Sequence, residues 1–256
     1  MRRTPWGLLA PATLGLLFLG APLVALVVRA PWSRLGSLLS APAVTDALRL
    51  SLLTASLATV LSVLLGVPLA WVLARVPFPG RRVVRTLVTL PLVLPPVVGG
   101  VGLLYAFGRH GLLGPALHAV GVDLSFTTSG VVLAEAFVAM PFLVVSVEGA
   151  LVAGDGRLEE AAATLGAGGW TTFRRVTLPL VAPSVAAGAV LSFARALGEF
   201  GATITFAGNL QGRTQTMPLA VYLALESDPD AALALALVLL GLSVVVLLAL
   251  RERWLR

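Results

Sequence analysis

The strongest constraint on the fold is a series of six apolar segments, each long enough to cross a lipid bilayer. A membrane-spanning helix needs about 20 mostly apolar residues. The segments lie near residues 8–28, 47–74, 83–107, 130–151, 180–207 and 231–250. They are apolar all round, whereas barrel strands alternate between polar and apolar residues over about ten positions. The sequence therefore predicts an all-α membrane protein in which residues 1–256 form one six-span transmembrane domain.

The composition excludes several classes of enzyme. The chain is 58% hydrophobic and 12% charged, against roughly a quarter charged residues in soluble domains. It has no Cys and no Lys, so it lacks thiolate ligands and the Lys of a Walker-type ATPase. His110 and His118 fall in a predicted outer loop, and we interpret them as ordinary loop histidines rather than metal ligands. We therefore predict no catalytic residue, no metal site and no cofactor bound by this chain.

The arginines predict the orientation. With six spans, both termini lie on one side, and that side receives twelve arginines against five on the other. Cytoplasmic loops carry the excess of basic residues, so we expect both termini in the cytoplasm. No basic run interleaves with exposed aromatic residues, so lipid and not nucleic acid is the expected contact. Arg2 and Arg3 also fit a signal peptide, but its removal would leave an odd number of spans, which favours a retained first helix.

Two spans contain residues that are unusual inside a membrane. Pro91, Pro95 and Pro96 should break or kink the third span. Broken helices in membranes are buried or line a cavity, so this span is a candidate wall of a translocation pathway. Arg195 and Glu199 lie four residues apart in the fifth span and can form an ion pair. That pair is either a packing feature or part of a gate, and both interpretations stay open here.

The predicted cytoplasmic loop 153–179 contains a short polar helix. Asp155 is a good N-cap for a helix that begins at 156 or 157, and the alanines that follow favour helix. Gly166 supplies a left-handed stop. A helix this short is not stable alone in water, so it needs a surface on which to pack. That surface is either a partner protein or the lipid bilayer. The acidic residues of the helix argue against the bilayer, because the cytoplasmic leaflet is anionic.

This loop resembles the EAA loop of ATP-binding-cassette (ABC) importer permeases. In that family the loop forms the coupling helix, which docks on the ATPase subunit. The resemblance implies the same role for six residues of this chain: Glu160, Ala161, Ala162, Gly166, Leu178 and Pro179.

A second resemblance concerns the substrate. Residues 193–203, with the segment RALGEFG, resemble the fifth span of permeases for tetrahedral oxyanions. Residues 207–209, with GRTQT at 212–216 and PLAVY at 218–222, resemble the molybdate and tungstate branch. Residues 90–96 and 107–114 also fit that branch. Sulfate and thiosulfate permeases share RALGEFG but usually depart at GRTQT, so they are the alternative assignment.

The resemblance implies a type I ABC importer permease of the prokaryotic plasma (inner) membrane. It implies three kinds of partner, which are a second copy of the chain, two cytoplasmic ABC ATPase subunits and an extracytoplasmic oxyanion-binding protein. ATP and magnesium are expected on the ATPase subunits.

Two further groups of residues are candidates for contact with the transported anion. The pathway and gate candidates are Arg195, Glu199, Thr203, Pro95 and Pro96. The outer-loop candidates are Asn209, Arg213 and Thr214. They either contact the delivered ligand or the docked binding protein, or they form an ordinary solvated loop. A channel or a secondary transporter would explain six spans but would leave the coupling loop without a purpose. A non-transporting membrane scaffold that anchors an ATPase stays open as a third alternative. No inverted repeat supports a secondary transporter.

Overall fold

A computed structural model describes residues 6–254 of the chain, with side-chain detail for residues 7–248. Within this part every regular element is a helix. The α-helices in chain order are α1 (Leu9–Val28), α2 (Leu35–Leu39), α3 (Pro42–Arg75), α4 (Arg81–Thr89), α5 (Pro96–Phe107), α6 (Gly114–Ala119), α7 (Thr128–Ala153), α8 (Arg157–Thr164), α9 (Gly169–Thr172), α10 (Leu178–Leu197), α11 (Gly201–Phe206), α12 (Met217–Ser227) and α13 (Pro229–Trp254). Arg2, Arg3 and Arg256, which contribute to the predicted orientation, lie outside the described residues, and the orientation stays a prediction.

The described residues contain five straight candidate spans and one broken one. The straight spans are Leu9–Val28, Pro42–Arg75, Thr128–Ala153, Gly169–Leu197 and Pro229–Leu248. The broken one joins Arg81–Leu92 to Pro96–Phe107 across a bend of 117°. These helices confirm the all-α membrane architecture.

The core is built where α3, α7 and α10 meet. Buried side chains of all three helices form one apolar cluster: Val67, Ala70, Leu73, Leu143, Val144, Val147, Leu151 and Val181. Small residues allow the close approach. A Cβ added to Gly66 would lie 2.7 Å from Leu143 Cδ2, and one added to Gly188 would lie 3.2 Å from the Cα of Leu143. Helices in lipid associate through such packing rather than through the hydrophobic effect, so Gly66 of α3 and Gly188 of α10 serve contacts within the chain.

Two predicted spans differ from single helices. The third segment, 83–107, is divided at its prolines, because Pro95 and Pro96 supply no N–H for an upstream carbonyl. The fifth segment, 180–207, is also divided: the helix begins before residue 180, ends at Leu197, and restarts as α11 at Gly201. The apolar helix α12 occupies a region that we had expected to be outer loop. Hydrophobicity alone does not detect these interruptions, because the residues on both sides are apolar.

The first helix lies on the outside of the bundle. None of the residues of α1 is buried, and the helix touches α13.

Candidate functional site

The predicted coupling helix is formed by α8 and closed at both ends by local hydrogen bonds. Asp155 Oδ1 accepts from the N–H of Arg157 at 3.1 Å. At the other end Gly166 has a φ of +82°. The N–H of Gly166 donates to the Ala163 carbonyl at 3.0 Å, and that of Ala167 to the Ala162 carbonyl at 3.0 Å. This pair of bonds is a Schellman motif, and it ends the helix at the position that was predicted from Gly166.

One face of this loop region is free of the bundle. Glu160, Ala161 and Gly166 are exposed, and Ala162 is half-buried. Leu165 and Trp170 are 88% and 74% exposed. Large apolar side chains beside exposed charge are typical of a surface that binds another protein.

The opposite face of α8 is tied to the bundle through Glu159. Its Oε2 lies 3.0 Å from Nε of Arg75, the last residue of α3. Its Oε1 accepts from the hydroxyl of Thr177 at 2.8 Å, and Thr177 is buried directly before α10. Sequence patterns do not predict this bridge, because its partners lie far apart along the chain. The signal that could have revealed it is the pair of adjacent acids, Glu159 and Glu160. Neighbouring side chains on a helix point about 100° apart, so the two acids have different surroundings.

Aromatic packing completes the connection between the loop and α10. Phe173 makes an edge contact with Trp71 of α3 at a centroid distance of 6.0 Å and stacks on Trp170 at 5.7 Å. Leu178 and Pro179 then form the first turn of α10. Leu178 packs against the α3–α7–α10 core, whereas Pro179 is exposed.

The end of α3 is also held by α4. Arg85 Nε donates to Glu148 Oε1 of α7 at 2.9 Å. Arg85 also reaches the carbonyl of Leu73 at 3.5 Å, and Arg81 donates to the carbonyl of Ala74 at 3.1 Å. These bonds satisfy carbonyls that a helix end leaves without partners, and they fix the position of α3 relative to α4 and α7.

The predicted ion pair of the fifth span lies at its break. Arg195 Nη2 is 2.6 Å from Glu199 Oε2. Glu199 is buried between α10 and α11, and its Oε1 accepts from the N–H of Ala202 at 2.8 Å. The carboxylate therefore caps α11 while it neutralises the arginine. An apolar groove of about 490 Å³ adjoins this break, where Phe200 packs on Tyr222 with ring centroids 5.3 Å apart.

The two broken spans meet at a backbone contact. A Cβ added to Gly100 of α5 would lie 2.8 Å from the carbonyl oxygen of Ala202 in α11. One added to Gly201 would lie 2.9 Å from Cβ of Pro96. The structure thus places Pro96 beside the segment that carries Glu199 and the buried Thr203, whose hydroxyl has no partner among the described residues. Pro95 is exposed and is the N-cap residue of α5.

A second buried carboxylate lies close to this region. Glu135 of α7 is 1% exposed, and its Oε1 accepts from Thr54 of α3 at 3.0 Å. The carboxylate is enclosed where α3 packs against α7.

The outer-loop candidates do not share one surface. Thr214 is buried, and its hydroxyl accepts from the N–H of Leu210, so it closes its own turn. Arg213 is exposed, and its carbonyl accepts from Thr128 of α7 at 2.9 Å. Asn209 is half-buried. Of the three side chains, that of Arg213 is the most available to a ligand or partner.

Comparison with known proteins agrees with this architecture. Residues 66–256 match the family described as "binding-protein-dependent transport system inner membrane component". The chain is 52% identical over 243 residues to the molybdenum transport system permease protein ModB of Mycobacterium tuberculosis, covering 95% of this chain and 92% of that one. It is 37% identical over 238 residues to the sulfate transport system permease protein CysT of Escherichia coli, covering 91% and 86%.

A solved structure supports the fold independently of close sequence similarity. A bacterial ABC transporter involved in the import of the acidic polysaccharide alginate superposes with a TM-score of 0.78, covering 96% of this chain and 93% of that chain. Its sequence is 19% identical.

Proposed function

The chain belongs to the family of binding-protein-dependent transport system inner membrane components, and from this premise we propose that it imports an oxyanion, with molybdate and tungstate as substrates, at the expense of ATP. It is a multi-pass inner-membrane transport permease. The similarity to a molybdenum permease, at 52% identity, exceeds the 37% found for a sulfate permease. This difference supports molybdate and tungstate over sulfate.

The observation that carries the proposed coupling is the two-sided character of α8. One face is bonded to α3 and to the segment before α10, and the other presents Glu160, Ala161 and the apolar Leu165 to solvent. A short helix with exposed apolar bulk gains stability when a partner covers it. In our proposal that partner is an ABC ATPase subunit, and two copies of this chain bind two such subunits. ATP and magnesium reside on the ATPases.

The coupling step follows from this arrangement. Closure of the ATPase dimer moves the face formed by Glu160, Ala161, Ala162 and Gly166. Leu178 and Pro179, at the start of α10, pass the movement into the bundle, because Leu178 is packed in the core shared by α3, α7 and α10.

The proposed pathway runs beside the two helix breaks. Arg195 is the one arginine near the centre of a predicted span, and Glu199 already neutralises it. A tetrahedral oxyanion needs several hydrogen-bond donors, so the high-affinity site belongs to an extracytoplasmic binding protein. Thr203, Pro95 and Pro96 border the break, and Asn209, Arg213 and Thr214 lie on its outer side in the predicted orientation. In our proposal Arg213 meets the docked binding protein or its ligand.

Uptake by proteoliposomes tests this function. The vesicles contain the chain, the ATPase and the binding protein encoded beside it, with labelled molybdate outside and ATP inside. We expect ATP-dependent uptake that excess tungstate blocks and excess sulfate does not. Inhibition by sulfate alone would assign the protein to the sulfate branch. An assembled complex without ATP-dependent flux of any oxyanion would overturn the proposal.

A further inference from the structure

Two adjacent glutamates of α8 lie in different surroundings. Glu160 is exposed, whereas Glu159 is turned toward the bundle with its side chain 19% exposed. The EAA pattern includes Glu160 and not Glu159. The role of Glu159 therefore has to be inferred from what its carboxylate touches.

The Glu159 carboxylate joins three separate elements. One oxygen pairs with Arg75 at the end of α3, at 3.0 Å, and the other accepts from Thr177, at 2.8 Å. Both partners are well shielded: the Arg75 side chain is 23% exposed, and Thr177 is buried. A shielded ion pair is screened less by solvent than a surface ion pair, which contributes little, and the Thr177 hydroxyl adds a hydrogen bond to the same charged carboxylate. The bridge therefore fixes α8 more firmly than its exposed pair, Arg157 with Asp155.

The two helix ends that Glu159 joins are each held by further contacts with the bundle. The last turn of α3 is held by Arg81 and Arg85, and Arg85 is bound to Glu148 of α7. The Thr177 end continues into α10, which packs against both α3 and α7. A displacement of α8 that Glu159 transmits therefore reaches α3 and α10, which already pack against each other.

We propose that Glu159 is the positioning residue for coupling: its carboxylate fixes α8 to the ends of α3 and α10, so that movement of the exposed face displaces both helices together. Without the bridge, α8 would swing on its flanking segments and absorb the movement. This inference rests on the proposed function, since it concerns how the same loop transmits force.

The first test uses the isolated chain in detergent and needs no transport. Hydrogen exchange of the α8 amides, residues 157–164, is compared between the unmodified chain and Glu159→Gln. We expect exchange in Glu159→Gln to be at least several-fold faster. Glu226→Gln is the matched control, because Glu226 is exposed on α12 and makes no ion pair with a described residue. Equal exchange rates in all three proteins would overturn the proposal.

The second test measures coupling in the assembled transporter. We expect Glu159→Gln to retain binding to the ATPase and its ATP hydrolysis, but to transport several-fold less molybdate per ATP hydrolysed. The double variant Arg75→Glu with Glu159→Arg should recover much of that ratio, which a loss of general stability would not allow. An unchanged ratio in Glu159→Gln, or a double variant no better than the single ones, would contradict the proposal. Absence of uptake by the unmodified complex would instead contradict the proposed function, and the exchange experiment would still decide the role of Glu159.

Discussion

The loop end of the molecule and the region of the helix breaks are held together in different ways. At the loop end, side chains make the connections: Glu159 binds Arg75 and Thr177, and Arg85 binds Glu148. At the breaks the backbones themselves touch, with Gly100 against the carbonyl of Ala202. Side-chain bonds can be broken and reformed with small changes of the backbone, whereas a backbone contact has no room to adjust. The loop end is therefore suited to transmit movement, and the breaks to set the shape of the proposed pathway.

The largest expected effect comes from adding a side chain at the backbone contact. Gly100→Leu should destabilise the chain by about 3 kcal/mol, at the upper end for overpacked sites, because a Cβ there already meets Ala202 at 2.8–2.9 Å. Unfolding by sodium dodecyl sulfate in mixed micelles, followed by circular dichroism, measures the change. Gly102→Leu is the control, because a Cβ at Gly102 meets nothing within 4 Å. Equal stability of the two variants would show that the contact is not tight.

A smaller effect is expected when the ion pair at the break is removed. Glu199→Gln retains an oxygen for the N–H of Ala202 but leaves Arg195 unpaired. Removal of one member of a fully buried ion pair destabilises a protein by about 3–5 kcal/mol. Because the Arg195 side chain is 26% exposed, we expect a smaller loss of stability, about 2 kcal/mol, in the same unfolding assay. The double variant Arg195→Gln with Glu199→Gln should be more stable than Glu199→Gln, since no unpaired charge remains. A double variant that is less stable would argue against the pairing.

The smallest effect on stability, with the largest effect on transport, is expected at the loop end. Gly166→Val forces a β-branched residue into the left-handed region and should cost about 1–2 kcal/mol, confined to α8. We expect membrane insertion to survive and ATP-dependent uptake to be abolished. Gly168→Val is the control, because Gly168 is equally open and has a negative φ of −68°. Normal uptake by Gly166→Val would contradict the coupling role of this loop.

Local signals allowed parts of this structure to be predicted. The helix stop at Gly166 and the break at Pro95 and Pro96 follow from what these residues do to their own backbone. The break after Leu197 was missed, because its cause is the capping of α11 by Glu199 rather than a run of polar residues. The bridge of Glu159 to Arg75 was missed for a related reason, since only the folded chain brings residues this far apart in sequence together.

The exposed position of α1 has a consequence for biogenesis. A helix without a buried residue gains little free energy from packing within the chain, so lipid partitioning is the main contribution that holds it in the bilayer. Its topology is thus decided during insertion, before the tertiary contacts of α3, α7 and α10 exist. Errors in the orientation of α1 would receive little later correction from packing within the chain, which places a quality-control burden on the insertion machinery.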